Sequence, residues 1–151
     1  MIAFTLLAAS APVWNATSLP LSDMIDTYAN FGATPANPTA YDCNKWVEQF
    51  TADGTASAPG TPVAKGTSAL QDTCKGTAAL FAQLAAFAEI TIPVLPPLGS
   101  RVAFSWRIVG IESRSGSRVS IPAISTWELN KEGKITAAVD YFDPSPLGGG
   151  N

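Results

Sequence analysis

The residues best suited to chemistry in this chain are carboxylates, an arginine and a phenol, because the sequence contains no histidine. Without histidine the chain cannot build a Ser-His-Asp triad, a Cys-His dyad or a histidine-ligated metal site. Two cysteines are too few for a four-thiolate zinc site. We therefore expect acid/base chemistry carried by side chains alone, without a metal or an organic cofactor.

Asp140 is the candidate acid/base residue. Strand alternation places Ala138, Asp140 and Phe142 on one face of the last strand, so the carboxyl group is expected in apolar surroundings. Burial disfavours the charged form and raises the pKa of a carboxyl group, and a base with a raised pKa suits proton transfer near neutral pH. Asp140 is therefore predicted to move a proton.

Arg107 and Tyr28 are the candidate partners of Asp140. Alternation places Arg107 on the pocket side of its strand, where a buried arginine needs an acidic neighbour. The Arg107–Asp140 pair is expected within hydrogen-bond or one-water distance, either as a catalytic pair or as a structural ion pair. Tyr28 lies on the apolar stripe of a helix and is expected either as core or as a hydrogen-bond donor to a substrate oxygen.

The periodicity of apolar residues predicts helices first and strands afterwards. Three helices are predicted around Leu21–Tyr28, Cys43–Phe50 and Gly66–Leu84, with an irregular hairpin over 52–65. The period then changes to two, and strands are predicted near 89–94, 101–113, 119–129 and 134–142. This order is typical of an α+β domain in which helices pack on a curved, mainly antiparallel sheet around an apolar pocket.

Length and charge limit the remaining possibilities. A chain of 151 residues has the size of one domain, here expected at 19–147, with an N-terminal segment at 1–18 and a disordered tail at 148–151. A net charge of −3 argues against a nucleic-acid partner, and no stretch reaches the length of a membrane span. A cytoplasmic location is the main expectation. Secretion is the alternative, because the N-terminus is apolar and Asn15 begins a glycosylation sequon.

Cys43 and Cys74 allow two interpretations. They are either two buried apolar thiols or one disulfide that ties two helices together. In a secreted chain we expect them bridged, with Cα atoms roughly 4.4–6.8 Å apart.

Several motifs resemble the nuclear-transport-factor-two-like superfamily. They are the run Phe50-Thr-Ala-Asp53-Gly-Thr leading to Lys65-Gly66, and the run Glu132-Gly-Lys-Ile135 followed by Asp140-Tyr-Phe-Asp143. The superfamily includes ketosteroid isomerases, limonene epoxide hydrolases and SnoaL-like polyketide cyclases. The resemblance implies a cone of helices and curved sheet whose interior holds the ligand.

The resemblance also implies roles for individual positions. Tyr28 corresponds to the isomerase phenol, whereas Ala58 and Ser125 occupy the positions of the isomerase base and acidic donor. Arg107 and Asp140 correspond to two members of the epoxide hydrolase triad, and Val109 replaces the third. Asp140 also matches the acid/base aspartate of SnoaL-like cyclases.

The function expected from the residues and the resemblance together is a SnoaL-like enzyme. It would isomerise, cyclise or hydrate a small apolar, polyketide-like or terpenoid-like substrate, using Asp140, Arg107 and Tyr28. The alternatives are an epoxide hydrolase and a non-catalytic ligand-binding or interaction domain. The residues expected to line the substrate pocket are Trp46, Phe50, Ala58, Val109, Ser125, Trp127 and Phe142.

The outer face of the sheet is predicted to form a homodimer. An apolar outer face on an antiparallel sheet marks an interface, and related domains commonly dimerise there. The alternative is that a terminal segment around Trp14 covers the face. The residues assigned to it by alternation are Phe104, Trp106, Ile108, Ile124, Thr126, Ala137, Val139 and Tyr141.

Overall fold

The computed structural model describes residues 21–34, 36–94 and 100–147. The expected N-terminal arm, with Trp14 and Asn15, and the expected tail at 148–151 lie outside these residues. The helices are α1 (Leu21–Ala29), α2 (Cys43–Val47) and α3 (Gly66–Ala78), and a short 3-10 helix covers Ser145–Leu147. None of the helices in the described part of the chain is long and apolar enough to cross a membrane.

Six strands form one curled, mixed sheet. They are β1 (Phe50–Ser57), β2 (Ala64–Lys65), β3 (Phe81–Val94), β4 (Ser100–Glu112), β5 (Arg118–Leu129) and β6 (Ile135–Phe142). Their order in the sheet is β2-β1-β6-β5-β4-β3, and only β1 and β6 run parallel. Helices packed on one face of this sheet give the α+β cone, and the predicted fold class is confirmed.

Two boundaries differ from the prediction. The second helix ends at Val47, and Phe50 begins β1 instead of extending that helix. The third helix ends at Ala78, and Phe81 and Leu84 lie in β3. Phe50, Phe81 and Leu84 are nevertheless buried as expected. Over so short a run, the spacing of inward-facing apolar residues fits a helix and a strand equally well.

The phase of β4 also differs from the prediction. Phe104, Trp106 and Ile108 are 2%, 3% and 5% exposed and face the helices, so their assignment to the outer face is wrong. Arg107 and Val109 lie on the opposite, outer face. Both faces of this strand carry apolar residues, so alternation alone does not fix which face is buried, and the large aromatic rings occupy the core.

A disulfide joins α2 to α3. Cys43 and Cys74 are bonded, with Cα atoms 5.7 Å apart, within the distance expected for a bridge. Cys74 is fully buried and Cys43 is half-buried. The bond fixes a five-residue helix, which is too short to persist by itself, to the thirteen residues of α3.

Candidate functional site

The sheet register brings Asp140 and Ser125 side by side. In the antiparallel pairing of β5 with β6, Ser125 lies directly opposite Asp140, and Trp127 lies opposite Ala138. The next strand places Phe104 opposite Ser125. All five residues therefore share the concave face of the sheet.

Three side chains form a hydrogen-bonded group at this point. The Tyr28 hydroxyl, from α1, donates to both carboxylate oxygens of Asp140, at 3.1 Å for Oδ1 and 3.0 Å for Oδ2. The Ser125 hydroxyl donates to Asp140 Oδ1 at 2.5 Å. Tyr28 thus connects α1 to the last strand through the carboxylate.

Trp106 fixes the direction of the Ser125 bond. Its indole Nε1–H donates to Ser125 Oγ at 2.9 Å. An indole can only donate, so Ser125 accepts from Trp106 and its own hydrogen is directed at Asp140. Sequence reasoning missed Trp106 because it placed this residue on the outer face. A buried indole N–H needs an acceptor, and Ser125 is the hydroxyl on the neighbouring strand's concave face.

Burial dominates the electrostatics of Asp140. The residue as a whole is half-buried, but its carboxyl end lies beneath Tyr28 and Ser125 and is shielded from solvent. This burial raises the pKa of Asp140 to about 6, against the opposing effect of the hydrogen bonds from Ser125 and Tyr28. The sequence-based expectation of a desolvated carboxyl group is thereby met, without the compensating cation.

The Tyr28 phenol stays protonated. Burial, followed by the nearby Asp140 charge and the hydrogen bond to it, raises the pKa of Tyr28 well above 10. Tyr28 is therefore a permanent donor to the carboxylate near neutral pH.

Aromatic rings enclose Tyr28. The centroid of its ring lies 5.0 Å from that of Trp127, 5.4 Å from Trp46 and 6.5 Å from Phe104. Trp46 also donates its indole N–H to the Tyr28 carbonyl at 3.1 Å, which anchors the end of α1 to α2. Trp46 and Phe50, expected to line the pocket, are members of this packed cluster, with ring centroids 4.8 Å apart.

Arg107 is not the partner of Asp140. It lies on the outer face, is half-exposed, and its Nε bonds Glu89 Oε1 at 3.0 Å. The expectation of an Arg107–Asp140 pair within hydrogen-bond or one-water distance is wrong, because the two side chains point from opposite faces of the sheet. The outer face is also the place where a guanidinium group loses the least hydration.

Of the other residues expected to line the pocket, one lies on the outer face of the sheet and two lie near Asp140. Val109 lies on the outer face with Arg107, so its assignment to the pocket is wrong. Phe142 is half-buried on the concave face beside Asp140. In the parallel pairing of β1 with β6, Ser57 lies beside Val139. Ala58 comes directly after Ser57, and Asp140 comes directly after Val139. The position matching the isomerase base therefore lies next to Asp140 along the sheet.

An open cleft lies elsewhere in the molecule. It has a volume of about 580 Å³ and is lined by α2, α3 and the start of β3, with Asn44, Gln71 and Lys75 among its polar residues. Asp140 does not line it, so this cleft is not the expected apolar pocket. In the described part of the chain, no group of three or more acidic or sulfur-bearing side chains is arranged to hold a metal ion.

Solved structures share this architecture at low sequence identity. A protein of ketosteroid isomerase-like fold from Catenulispora acidiphila, solved in complex with trimethylamine, superposes with a TM-score of 0.66 over 83% of this chain and 88% of its own, at 17% identity. A candidate SnoaL-like polyketide cyclase from Jannaschia sp. CCS1 gives 0.62 over 83% and 86%, at 16% identity. SalBIII, an epoxide hydrolase/cyclase-like enzyme in pyran ring formation in the polyether salinomycin, gives 0.59 over 69% and 80%, at 20% identity.

The sequence comparisons identify a family for this chain but no relative of curated function. No protein of curated function matches the chain. The family model of the SnoaL-like domain matches residues 36–138, which is about two-thirds of the chain. The chain therefore belongs to the family of SnoaL-like domains.

Proposed function

We propose that this protein is an enzyme of cofactor-independent acid/base chemistry, which isomerises, cyclises or hydrates a small, largely apolar substrate. The observation that carries the proposal is the buried Asp140 carboxylate, held by two hydroxyl groups, of which the Tyr28 hydroxyl belongs to a packed aromatic cluster. A family whose members include polyketide cyclases and isomerases, and a structural neighbour described as an epoxide hydrolase/cyclase-like enzyme, support the same reaction class.

Asp140 is the proposed base, through its Oδ2 atom. Oδ1 accepts hydrogen bonds from both Ser125 and Tyr28, whereas Oδ2 accepts one, from Tyr28, among the residues that the structure describes. A carboxylate oxygen can accept more than one hydrogen bond, so Oδ2 retains capacity for a substrate proton. With a pKa of about 6, the group is ionised near neutral pH and still basic enough to take a proton.

Tyr28 and Ser125 are the proposed positioning residues. Each directs its hydroxyl hydrogen at the carboxylate, which fixes the rotamer of Asp140 and stabilises its charged form. The sequence left two expectations for Tyr28, a core residue or a donor to a substrate oxygen. We assign it the orienting role instead, since its hydrogen is already shared between the two oxygens of Asp140.

Epoxide hydrolysis receives less support than isomerisation or cyclisation. Opening an epoxide requires a base on the water and an acid on the epoxide oxygen. Arg107 lies outside the cone and Val109 replaces the second carboxylate, so two of the three expected positions do not contribute.

A non-catalytic ligand-binding or interaction domain is the second candidate. The close packing of aromatic side chains around Tyr28 favours a non-catalytic role, because an enzyme needs room for a substrate beside its base. Native mass spectrometry of the purified protein would detect a retained ligand. A tightly bound molecule that shows no proton exchange at pH 8 would support binding over catalysis.

The pH dependence of proton exchange tests the proposed function. Cyclopentanone in D₂O is a suitable probe, because loss of its α-protons is visible by NMR. The enzyme-dependent rate should rise as the pH increases through about 6 and then level off, since only ionised Asp140 is a base. Tyr28 should add no second inflection below pH 10, because its pKa is raised above that value. A flat profile, or no excess over buffer, would contradict the assignment.

We also propose a homodimer formed by the outer face of the sheet. Ile124 and Tyr141 are 53% and 55% exposed and lie opposite each other on β5 and β6. Ion pairs flank them, Arg101–Glu128 on one side and Arg107–Glu89 on the other. An apolar centre with a charged rim is the usual composition of an interface.

Ile124→Glu should convert this dimer into a monomer. The new carboxylate would be buried twice in an isologous interface, while the exposed position tolerates it in the monomer. Sedimentation velocity at micromolar concentration measures the result. Val63→Glu is the matched control, because Val63 is 65% exposed and lies in the loop before β2. A wild-type monomer would refute the dimer.

The disulfide bears on localisation. Disulfides persist in oxidising compartments and are rare in the cytosol. We therefore propose that the protein is secreted, the alternative that the sequence left beside a cytoplasmic location.

A further inference from the structure

The open cleft between α2 and α3 lies apart from Asp140 and its hydrogen-bond partners. Its volume of about 580 Å³ is within the range of about 300–1,000 Å³ that is typical of small-molecule sites. The Tyr41 hydroxyl donates to the Phe81 carbonyl at 3.0 Å, which holds the Tyr41 ring against the start of β3. The apolar part of the lining consists of Tyr41, Ala78, Ala79 and Phe81, together with Cys43 of the disulfide. A ligand with an apolar body can therefore pack in this cleft.

Two bonds hold the walls of the cleft in place. The Cys43–Cys74 disulfide joins α2 on one side to α3 on the other. The Gln71 side-chain amide, on α3, donates to Asn44 Oδ1 on α2. Because the walls are already joined, binding of a ligand requires little further ordering of the protein, and this favours affinity.

One acidic and one basic side chain flank the disulfide. Asp42 directly precedes Cys43 at the start of α2, and Lys75 directly follows Cys74 on α3. Both charged side chains are exposed and line the cleft. Neither takes part in an ion pair among the residues that the structure describes. A ligand that carries both charges therefore finds a group of opposite charge for each.

Polar atoms beside these charges keep hydrogen-bonding capacity in the described part of the chain. Asp42 Oδ1 accepts from the Lys45 backbone N–H at 3.0 Å and so caps α2, which leaves Oδ2 for a ligand. Asn44 uses its amide oxygen toward Gln71, so its NH₂ group remains a donor and Gln71 Oε1 remains an acceptor. The cleft thus offers acceptors for an ammonium group and donors for a carboxylate.

We propose that this cleft binds a free α-amino acid with an apolar side chain, such as phenylalanine. The ligand's ammonium group meets Asp42, its carboxylate meets Lys75, and its side chain packs on the apolar lining. A ligand with one charge would leave a like charge of the cleft unpaired beside it, whereas a zwitterion complements both. The two charged residues neighbour cysteines whose Cα atoms are 5.7 Å apart, and this short span suits one amino acid better than the two ends of a peptide.

An NMR titration of the ¹⁵N-labelled protein with three ligands of similar shape tests the proposal. L-Phenylalanine carries both charges, 3-phenylpropanoate carries only the carboxylate, and 2-phenylethylamine carries only the ammonium group. Phenylalanine should shift the backbone amide resonances of Asn44, Gln71 and Ala79, which line the cleft. It should bind about fivefold more tightly than either of the other two, the effect of one favourable exposed ion pair.

Charge-removing variants assign each half of the ligand to its partner. Lys75→Gln should weaken phenylalanine and 3-phenylpropanoate binding about fivefold without weakening that of 2-phenylethylamine. Asp42→Asn should weaken phenylalanine and 2-phenylethylamine binding without weakening that of 3-phenylpropanoate, and asparagine still caps α2. Lys45→Gln and Asp72→Asn are the matched controls, because both side chains are exposed on the same two helices but do not line the cleft.

Three results would overturn the proposal. They are equal affinities for phenylalanine and 3-phenylpropanoate, equal effects of the cleft variants and their controls, and unmoved cleft resonances up to the solubility limit of phenylalanine. Asp140→Asn should leave phenylalanine binding unchanged, since Asp140 does not line the cleft. The outcome is therefore independent of the function proposed for Asp140.

Discussion

Asp140→Asn should lower the enzyme-dependent proton exchange of cyclopentanone by about 10²–10⁴-fold, the usual contribution of a positioned general base. The amide has nearly the shape of the carboxyl group, but it cannot accept a proton from carbon. It can still accept hydrogen bonds from Tyr28 and Ser125 through its oxygen, so the cluster should keep its arrangement. NMR in D₂O at pH 8 measures the rate.

Asp143→Asn is the matched control. Asp143 is exposed just beyond the end of β6, and its carboxylate accepts a hydrogen bond from the Ser145 backbone N–H at 2.9 Å. Its replacement should leave the exchange rate within about twofold of wild type, because Asp143 lies outside the cluster. Full activity in Asp140→Asn, or an equal loss in both variants, would contradict the role of Asp140.

The pH dependence of the free energy of unfolding tests whether the Asp140→Asn variant removes the group whose pKa is raised. The folded-state pKa of Asp140, about 6, lies above its ordinary value of 3.8, so the folded protein binds this proton more tightly than the unfolded chain does. The stabilisation is fully present below pH 3.8 and is lost as the pH rises through 6, a change of about 3 kcal/mol. Urea unfolding at pH 4.5 and pH 7.5 should show about two-thirds of this loss in wild type, because at pH 4.5 the unfolded carboxyl group is already mostly ionised, and much less of it in Asp140→Asn.

The sequence pattern was sufficient to predict which face of β5, the strand that carries Ser125, is buried. On β5, buried Ile121, Ala123 and Trp127 alternate with exposed Ser120 and Glu128, so one face is clearly the core face. The same alternation on β6 predicted that Asp140 lies on the buried face of the sheet, as Ser125 does. These two strands contain most of the candidate site, and the expected burial of the Asp140 carboxyl group followed from their alternation.

The pattern was insufficient to predict which face of β4 is buried. A one-residue change of phase moves every side chain of a strand to the other face. Arg107 was expected inside because an arginine between apolar neighbours suggested a buried ion pair. Its partner is Glu89 on the adjacent strand β3. Burial of Trp106 instead supplies the Ser125 hydroxyl with a donor.

Contacts between distant segments lay outside the reach of periodicity. The parallel pairing of β1 with β6 joins Phe50 to Ile135, and no local pattern encodes it. The bond between the Tyr28 hydroxyl and Asp140 spans 112 positions of the chain. Resemblance to a family suggested both residues as functional, but only the fold shows that one holds the other.

Reducing the Cys43–Cys74 disulfide should lower the free energy of unfolding by about 3–4 kcal/mol. The two cysteines are 31 positions apart, and a bridge that closes a loop of this length removes that much chain entropy from the unfolded state. Urea unfolding with and without a reductant measures the change. For a domain of this size, the loss is a large part of the total stability.

The same reduction should loosen the anchor of Tyr28. Helix α2 contains five residues, and Trp46 within it donates to the Tyr28 carbonyl and stacks on the Tyr28 ring. The near-ultraviolet circular dichroism of these rings should weaken on reduction below the unfolding midpoint. The variant with both Cys43→Ala and Cys74→Ala is the control for the reductant, and it should match the reduced wild type in both measurements. An unchanged urea midpoint after complete reduction, verified by thiol titration, would show that packing of Cys74 and the Asp42 cap holds α2 without the bond.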